Sequence, residues 1–120
     1  MTRFPRSIPA VNPTRLSLRS LSPERRRLVE IIHEMGFGTI RDLKISDGEP
    51  IFTDSTEIIR QVKFQGTEFY RPESMEESLQ RDSFQRLLAY LDQVRDVRIL
   101  ISLEAKHGLP FLGDFTEIRN

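Results

Sequence analysis

Residues 39–52 read TIRDLKISDGEPIF and have the pattern of a tight β-hairpin. Asp47 and Gly48 supply the two positive φ angles that a two-residue hairpin turn requires. Such a turn pairs Ile45 with Pro50 and puts four apolar side chains on one face of the hairpin: Leu43, Ile45, Pro50 and Phe52. We expect this face to point to the core, and we expect the strand that contains Pro50 to lie at an outer edge, because proline has no amide donor.

One helix is predicted on each side of this hairpin. Ser22 and Pro23 give the cap and first-turn signals of a helix over about residues 23–35. A second capping signal at Ser74 starts a helix predicted over about residues 74–95. Its apolar stripe consists of Met75, Leu79, Phe84, Leu87, Leu88, Leu91 and Val94.

Further strands are predicted from alternating apolar residues. Residues 58–64 alternate Val62 and Phe64 with polar residues, which indicates a third strand. A last strand over 97–105 is expected to bury every second residue, namely Val97, Ile99, Ile101, Leu103 and Ala105. Leu100 interrupts the polar side of that strand. The segment 111–118 is apolar enough to dock on the body or to add an edge strand.

These elements together predict an α+β protein. The expected sheet is mainly antiparallel and has three to four strands, with both helices on one of its faces. We assign residues 22–120 to a single globular domain, because 120 residues are typical of one core. Residues 1–21 contain three prolines and no acid or periodic apolar face, and they are predicted to form an extended, flexible arm.

The charge is unevenly distributed along the chain. Residues 1–27 contain seven Arg and one Glu, a net charge of +6, and because the whole chain is neutral the remainder carries −6. Such a basic segment suits a polyanion or an acidic partner. The candidate binding residues are Arg15, Arg19, Arg25, Arg26 and Arg27.

No catalytic or metal-binding constellation is found in the sequence. There is no Cys, and no serine lies in a Gly-x-Ser-x-Gly elbow. Glu30 and His33 have helical metal-ligand spacing but fall on the outer face of the predicted helix. His107 follows the last predicted strand and is a candidate surface site. We therefore predict no catalytic residue, no metal and no cofactor.

A different division of residues 22–52 gives an alternative fold. If residues 39–45 form a second helix, the Asp47-Gly48 turn becomes the wing of a winged helix-turn-helix. Ile40 and Leu43 are three residues apart and permit that helix.

The function expected from the sequence is that of a small non-enzymatic binding or interaction protein. No apolar run approaches the roughly 20 residues that cross a bilayer, so a soluble cytoplasmic protein without membrane contact is predicted. Its expected partner is an unidentified protein or a second copy. The Pro50 edge, residues 111–112 and Leu100 on the polar side of the last strand are expected to leave apolar surface for a homodimer. The alternative is a nucleic-acid-associated protein that uses the Arg-rich arm.

Overall fold

The computed structural model describes residues 16–66 and 70–116. After a single 3₁₀ turn at Leu18–Ser20, its elements are α1 (Pro23–Met35), β1 (Gly38–Ser46), β2 (Glu49–Ile51), β3 (Glu57–Arg60), α2 (Met75–Leu79), α3 (Asp82–Gln93), β4 (Val97–Lys106) and β5 (Leu109–Phe115). The described helices and strands form an α+β fold, as the sequence predicts. None of these helices has both the length and the apolar character needed to cross a membrane.

The strands form one antiparallel sheet. Its order is β2-β1-β4-β5, and β3 also pairs with β1. Strand β2 pairs with Lys44–Ser46 and β3 pairs with Gly38–Arg41, so two short strands follow one another along the outer edge of β1. The buried side chains of the sheet belong to one apolar cluster with those of the helices. The helices therefore cover one face of the sheet, as predicted.

The hairpin of residues 39–52 has the predicted register. Ile45 lies opposite Pro50, and Asp47 and Gly48 both have positive φ, 48° and 80°. Leu43 and Ile45 are fully buried, and Phe52 packs against the core at its margin. Strand β2, which contains Pro50, is an edge strand. All of these features confirm the predicted hairpin.

The winged-helix alternative is wrong, because residues 39–45 lie in β1. Asp42 has a φ of 55°, and this irregularity lets Ile40 and Leu43 both face the core although they are three residues apart. The three-residue spacing of Ile40 and Leu43, which is typical of a helix, is therefore explained by a distorted strand.

The stretch 74–95 contains two helices where the sequence predicts one. Leu79 and Phe84 are five residues apart, which on a continuous helix separates their directions by roughly 140°. The chain instead becomes extended at Arg81, and both side chains are fully buried. The buried side chain of Gln85 donates a hydrogen bond to the Leu79 carbonyl at 2.9 Å, which satisfies the end of α2.

Two of the predicted strands differ in detail from the observed ones. Strand β3 is shorter and starts one residue earlier than predicted, and Val62 and Phe64 are 58% and 93% exposed. In β4 Leu100 is buried, whereas the first three residues of the expected core set are exposed: Val97, Ile99 and Ile101. The alternation of buried side chains along β4 shifts by one residue between Leu100 and Leu103. In this region the register of β4 against β5 also shifts, and β4 passes Asp42 of β1.

Segment 111–118 begins as part of an edge strand, because β5 covers Leu109–Phe115. The turn before β5 is formed by His107 and Gly108, which both have positive φ, 55° and 72°. It has the same two-residue geometry as the Asp47-Gly48 turn.

Residues 16–21, which the sequence places in the arm, contact α2. The Leu16 amide donates to Gln80 Oε1 at 3.2 Å, and the Leu18 amide donates to Glu76 Oε1 at 3.3 Å. The Leu18 side chain is only 7% exposed and belongs to the core cluster. Residues 1–15 of the predicted arm lie outside the described residues.

Candidate functional site

A cavity of about 860 Å³ opens where the end of α1, the end of β3 and the β4–β5 turn meet. We call it the cationic pocket. It is lined by Met35, Phe37, Arg60, Gln61, Val62, Lys63, Tyr70, Arg71 and His107. Its volume lies within the range of about 300–1,000 Å³ that is typical of small-molecule sites.

Tyr70 fixes one wall of the pocket. Its hydroxyl donates a 2.5 Å hydrogen bond to the His33 carbonyl of α1. Glycines at 36 and 108 leave room for the ring, since a Cβ at Gly36 would lie 2.6 Å from Tyr70 Cδ2 and a Cβ at Gly108 would lie 2.0 Å from Tyr70 Oη. The Gly108 amide also donates to the Gly36 carbonyl at 2.8 Å. The end of α1, Tyr70 and the β4–β5 turn are therefore held together.

Three rings form an aromatic wall. Phe37 makes edge-to-face contacts with Tyr70, with centroids 6.2 Å apart, and with His107, with centroids 4.8 Å apart. The left-handed conformation of His107, which the turn requires, places its exposed ring at this wall. Histidine is one of the few non-glycine residues that adopts this conformation readily. The turn thus serves the fold and also positions an imidazole in the pocket.

Among the residues that the structure describes, the charged ones that line the pocket are all basic. Arg60, Lys63 and Arg71 are exposed, and none of them forms an ion pair with any residue in the described part of the chain. No carboxylate from residues 16–66 or 70–116 lines the cavity. Cations that converge on one cavity create a positive potential that attracts anions.

A polar network behind the pocket supports Tyr70. Arg81 donates two hydrogen bonds to the Glu73 carboxylate, at 2.9 and 2.6 Å, and His33 Nε2 donates to the Glu73 carbonyl at 2.6 Å. The hydrogen bond from Arg81 holds the pKa of Glu73 below its usual value, although partial desolvation opposes it. Burial, and then the nearby negative charge of Glu73, raises the pKa of Tyr70. The Tyr70 hydroxyl therefore keeps its proton and remains a donor at neutral pH.

Glu73→Gln should lower the melting temperature at pH 7 by on the order of 2 °C, because an exposed ion pair contributes little. A carboxyl group whose pKa is lowered by folding stabilises the protein at any pH above the pKa that it has in the unfolded chain. This stabilisation is lost as the pH falls through the pKa of the folded state. The difference between wild type and variant should thus shrink below about pH 4. Thermal unfolding between pH 7 and pH 3 measures it. Glu34→Gln, on the exposed side of α1, is the control, and a difference that grows on acidification would contradict the prediction.

Most of the predicted binding arginines have partners within the fold. Arg25 contacts Glu49 at 3.2 Å, Asp92 at 2.7 Å and the Gly48 carbonyl at 3.2 Å, and so it braces the hairpin turn. Arg26 pairs with Glu30 at 3.0 Å. Arg27 lies 4.4 Å above the ring of Phe52.

The other predicted site residues are separated in the structure. Arg19 is exposed in the 3₁₀ turn, and Arg15 lies outside the described residues. Binding of a polyanion by these five arginines stays a prediction. Of the predicted site residues that the structure describes, only His107 lines the pocket. His33 bonds to the backbone of Glu73, and in the described part of the chain no three His, Cys, Asp or Glu side chains are grouped to hold a metal ion.

Most residues of the pocket are not predicted from the sequence. Between positions 60 and 71 basic and aromatic residues are interleaved, which is a pattern typical of binding segments. The alternation at Val62 and Phe64 predicts a strand in the same stretch. The His107-Gly108 pair also carried a turn signal, because histidine tolerates positive φ.

The chain was compared with family models, curated proteins and solved structures, and none of them matches it.

Proposed function

We propose that the protein is a non-enzymatic binding protein that holds an anionic ligand in the cationic pocket. The observation that carries this proposal is the convergence of Arg60, Lys63, Arg71 and His107 on one cavity that no described carboxylate lines. The positive charges of Arg60, Lys63 and Arg71 repel one another, and a bound anion relieves that repulsion.

The apolar part of the site supports an organic anion over a simple ion. Phe37 and Tyr70 form a wall that is already fixed by contacts within the fold, so little ordering is needed when a ligand binds. Val62 lines the cavity and is more than half exposed. A ligand with an apolar body and a negative group would contact both parts of the pocket.

A pair of probes of opposite charge tests this proposal. We expect 2-naphthoate to shift the amide resonances of the full chain around Gln61 and Gly108, and we expect 2-naphthylmethylammonium, which has the same ring and a positive charge, to leave them unchanged. Arg60→Ala combined with Arg71→Ala should weaken naphthoate binding about tenfold or more. Equal binding of both probes, or shifts confined to another surface, would overturn the proposal.

A matched variant controls for general loss of positive charge. Arg86→Ala combined with Arg95→Ala removes two exposed arginines that do not line the pocket. These substitutions should leave the affinity for naphthoate within about twofold of wild type, because exposed charges that do not contact the ligand are screened by salt. An equal loss in both double variants would show that binding depends on net charge.

Association with nucleic acid through the arm stays the alternative. The described arginines Arg25, Arg26 and Arg27 have partners within the fold, which gives this alternative less support than the pocket has. The two functions are separable by experiment. Duplex binding through the arm should be insensitive to Arg60→Ala and Arg71→Ala and should fall steeply as salt increases.

We also propose that the protein associates with a second copy of itself and that it is located in the cytoplasm. The outer face of the sheet exposes Ile51, Val97, Ile99 and Ile101. Exposed apolar surface of this kind favours contact with a second copy, and the absence of Cys suits a reducing compartment. Sedimentation equilibrium at micromolar concentration should give a dimer, and Ile99→Lys should convert it to a monomer. A monomer at all concentrations would remove this part of the proposal.

A further inference from the structure

We propose that the ligand of the cationic pocket is a nucleobase that carries a phosphate, either as a mononucleotide or as the phosphorylated end of a single strand. This inference rests on the proposed function and specifies its ligand. The structure offers three kinds of group in one cavity: an aromatic wall, a set of cations and a side-chain amide.

The cations suit a phosphate. Arg60 and Arg71 both line the cavity, and a guanidinium group is a planar fork of donors that matches phosphate oxygens. Lys63 adds a third positive charge to the lining. No residue in the described ranges neutralises these three groups through an ion pair. A phosphate dianion would compensate more of this charge than a single carboxylate.

The aromatic wall suits a planar ring. Phe37 is held between Tyr70 and His107 by edge-to-face contacts, and His107 remains exposed to the cavity. Stacking of a base on an aromatic side chain is tolerant of sequence, since every base has a π-face. Met35 adds an apolar surface to the same cavity.

Gln61 distinguishes a nucleobase from other planar rings. Its backbone amide donates to the Phe37 carbonyl at 2.8 Å, which ties the residue to the aromatic wall. Gln61 lines the cavity and is exposed, and its side chain offers one donor group and one acceptor. A glutamine amide matches the paired donor and acceptor on the edge of adenine. We therefore expect an adenine nucleotide to be a suitable probe.

Titration calorimetry of the full chain with AMP, adenosine and inorganic phosphate tests the inference. AMP should bind at least about tenfold more tightly than either adenosine or phosphate, because it engages both parts of the pocket. Arg71→Ala should weaken both AMP and phosphate. Gln61→Ala should weaken AMP about fivefold or more without changing phosphate binding, and Gln93→Ala, an exposed residue outside the pocket, should change neither.

The outcomes separate this inference from the proposed function. If naphthoate binds in the pocket but AMP binds no more tightly than phosphate, the nucleotide inference is wrong and the proposed function stands. If neither naphthoate nor AMP binds there, both fail. A 5′-phosphorylated tetranucleotide identifies the source of the ligand: affinity at least about tenfold above that of AMP supports a strand end, and equal affinity supports a free nucleotide.

Discussion

Gly108→Ala is expected to destabilise the fold by about 3 kcal/mol. Gly108 has a φ of 72°, in the left-handed region where an alanine costs about 1 kcal/mol. The added Cβ would also lie 2.0 Å from Tyr70 Oη and 3.2 Å from the His33 carbonyl. The Tyr70 ring must then move and lose its hydrogen bond to His33. Urea unfolding measures the loss in stability.

Gly66→Ala is the matched control for this substitution. Gly66 also has a positive φ, 110°, but a Cβ there meets no described atom within 4 Å. It should therefore cost about 1 kcal/mol, from backbone strain alone. Tyr70→Phe removes the oxygen nearest to the new methyl group, so it should recover part of the loss in the Gly108→Ala background. Equal destabilisation by both glycine substitutions would show that the packing on Tyr70 is unimportant.

The features predicted correctly from the sequence depend on residues close together in the chain. The hairpin register follows from the two-residue turn at Asp47-Gly48 and from the apolar alternation on either side of it. The cap at Ser22 likewise sets the start of α1, where its side chain accepts a hydrogen bond from the Arg25 amide. Local chemistry of this kind is largely independent of the rest of the fold.

The features predicted incorrectly have two different causes, a tertiary contact in β4 and a local signal between α2 and α3. The inward face of β4 changes where the strand meets Asp42 of β1 and loses register with β5, and no pattern within β4 alone shows this. The break between α2 and α3 did leave a local signal, the five-residue step from Leu79 to Phe84. The apolar stripe around this step nevertheless favours one uninterrupted helix, because apolar residues continue at helical spacing on both sides of it.

The candidate site could be predicted only in part, because it too depends on tertiary contacts. The aromatic wall combines Phe37 from the end of α1, Tyr70 from the segment before α2 and His107 from a turn near the C-terminal end of the chain. His107 alone was identified, since a histidine beside a glycine at the end of a strand is notable by itself. The three cations are grouped only by the fold, which places the end of β3 and the segment before α2 at the same cavity.

Leu18→Ala should destabilise the protein by about 2–3 kcal/mol, toward the lower end for a buried leucine because a segment at the surface can partly collapse into the space. Leu18 is 7% exposed, and its amide is held by Glu76 of α2. Arg19→Ala, the exposed neighbour in the same 3₁₀ turn, should change stability by less than about 0.5 kcal/mol. Chemical denaturation of both variants gives the comparison.

Two truncations then locate the boundary between arm and domain. Removal of residues 1–15 deletes the part of the predicted arm that precedes Leu16 and should leave the melting temperature nearly unchanged, because their sequence contains no periodic apolar face. Removal of residues 1–21 also deletes Leu18 and the backbone contacts of Leu16 with Gln80, so it should lower the melting temperature by roughly 8 °C or more. If the longer truncation is as stable as the shorter one, residues 16–21 belong functionally to the arm. If instead the shorter truncation already has the full loss, residues before Leu16 must contribute to the folded domain.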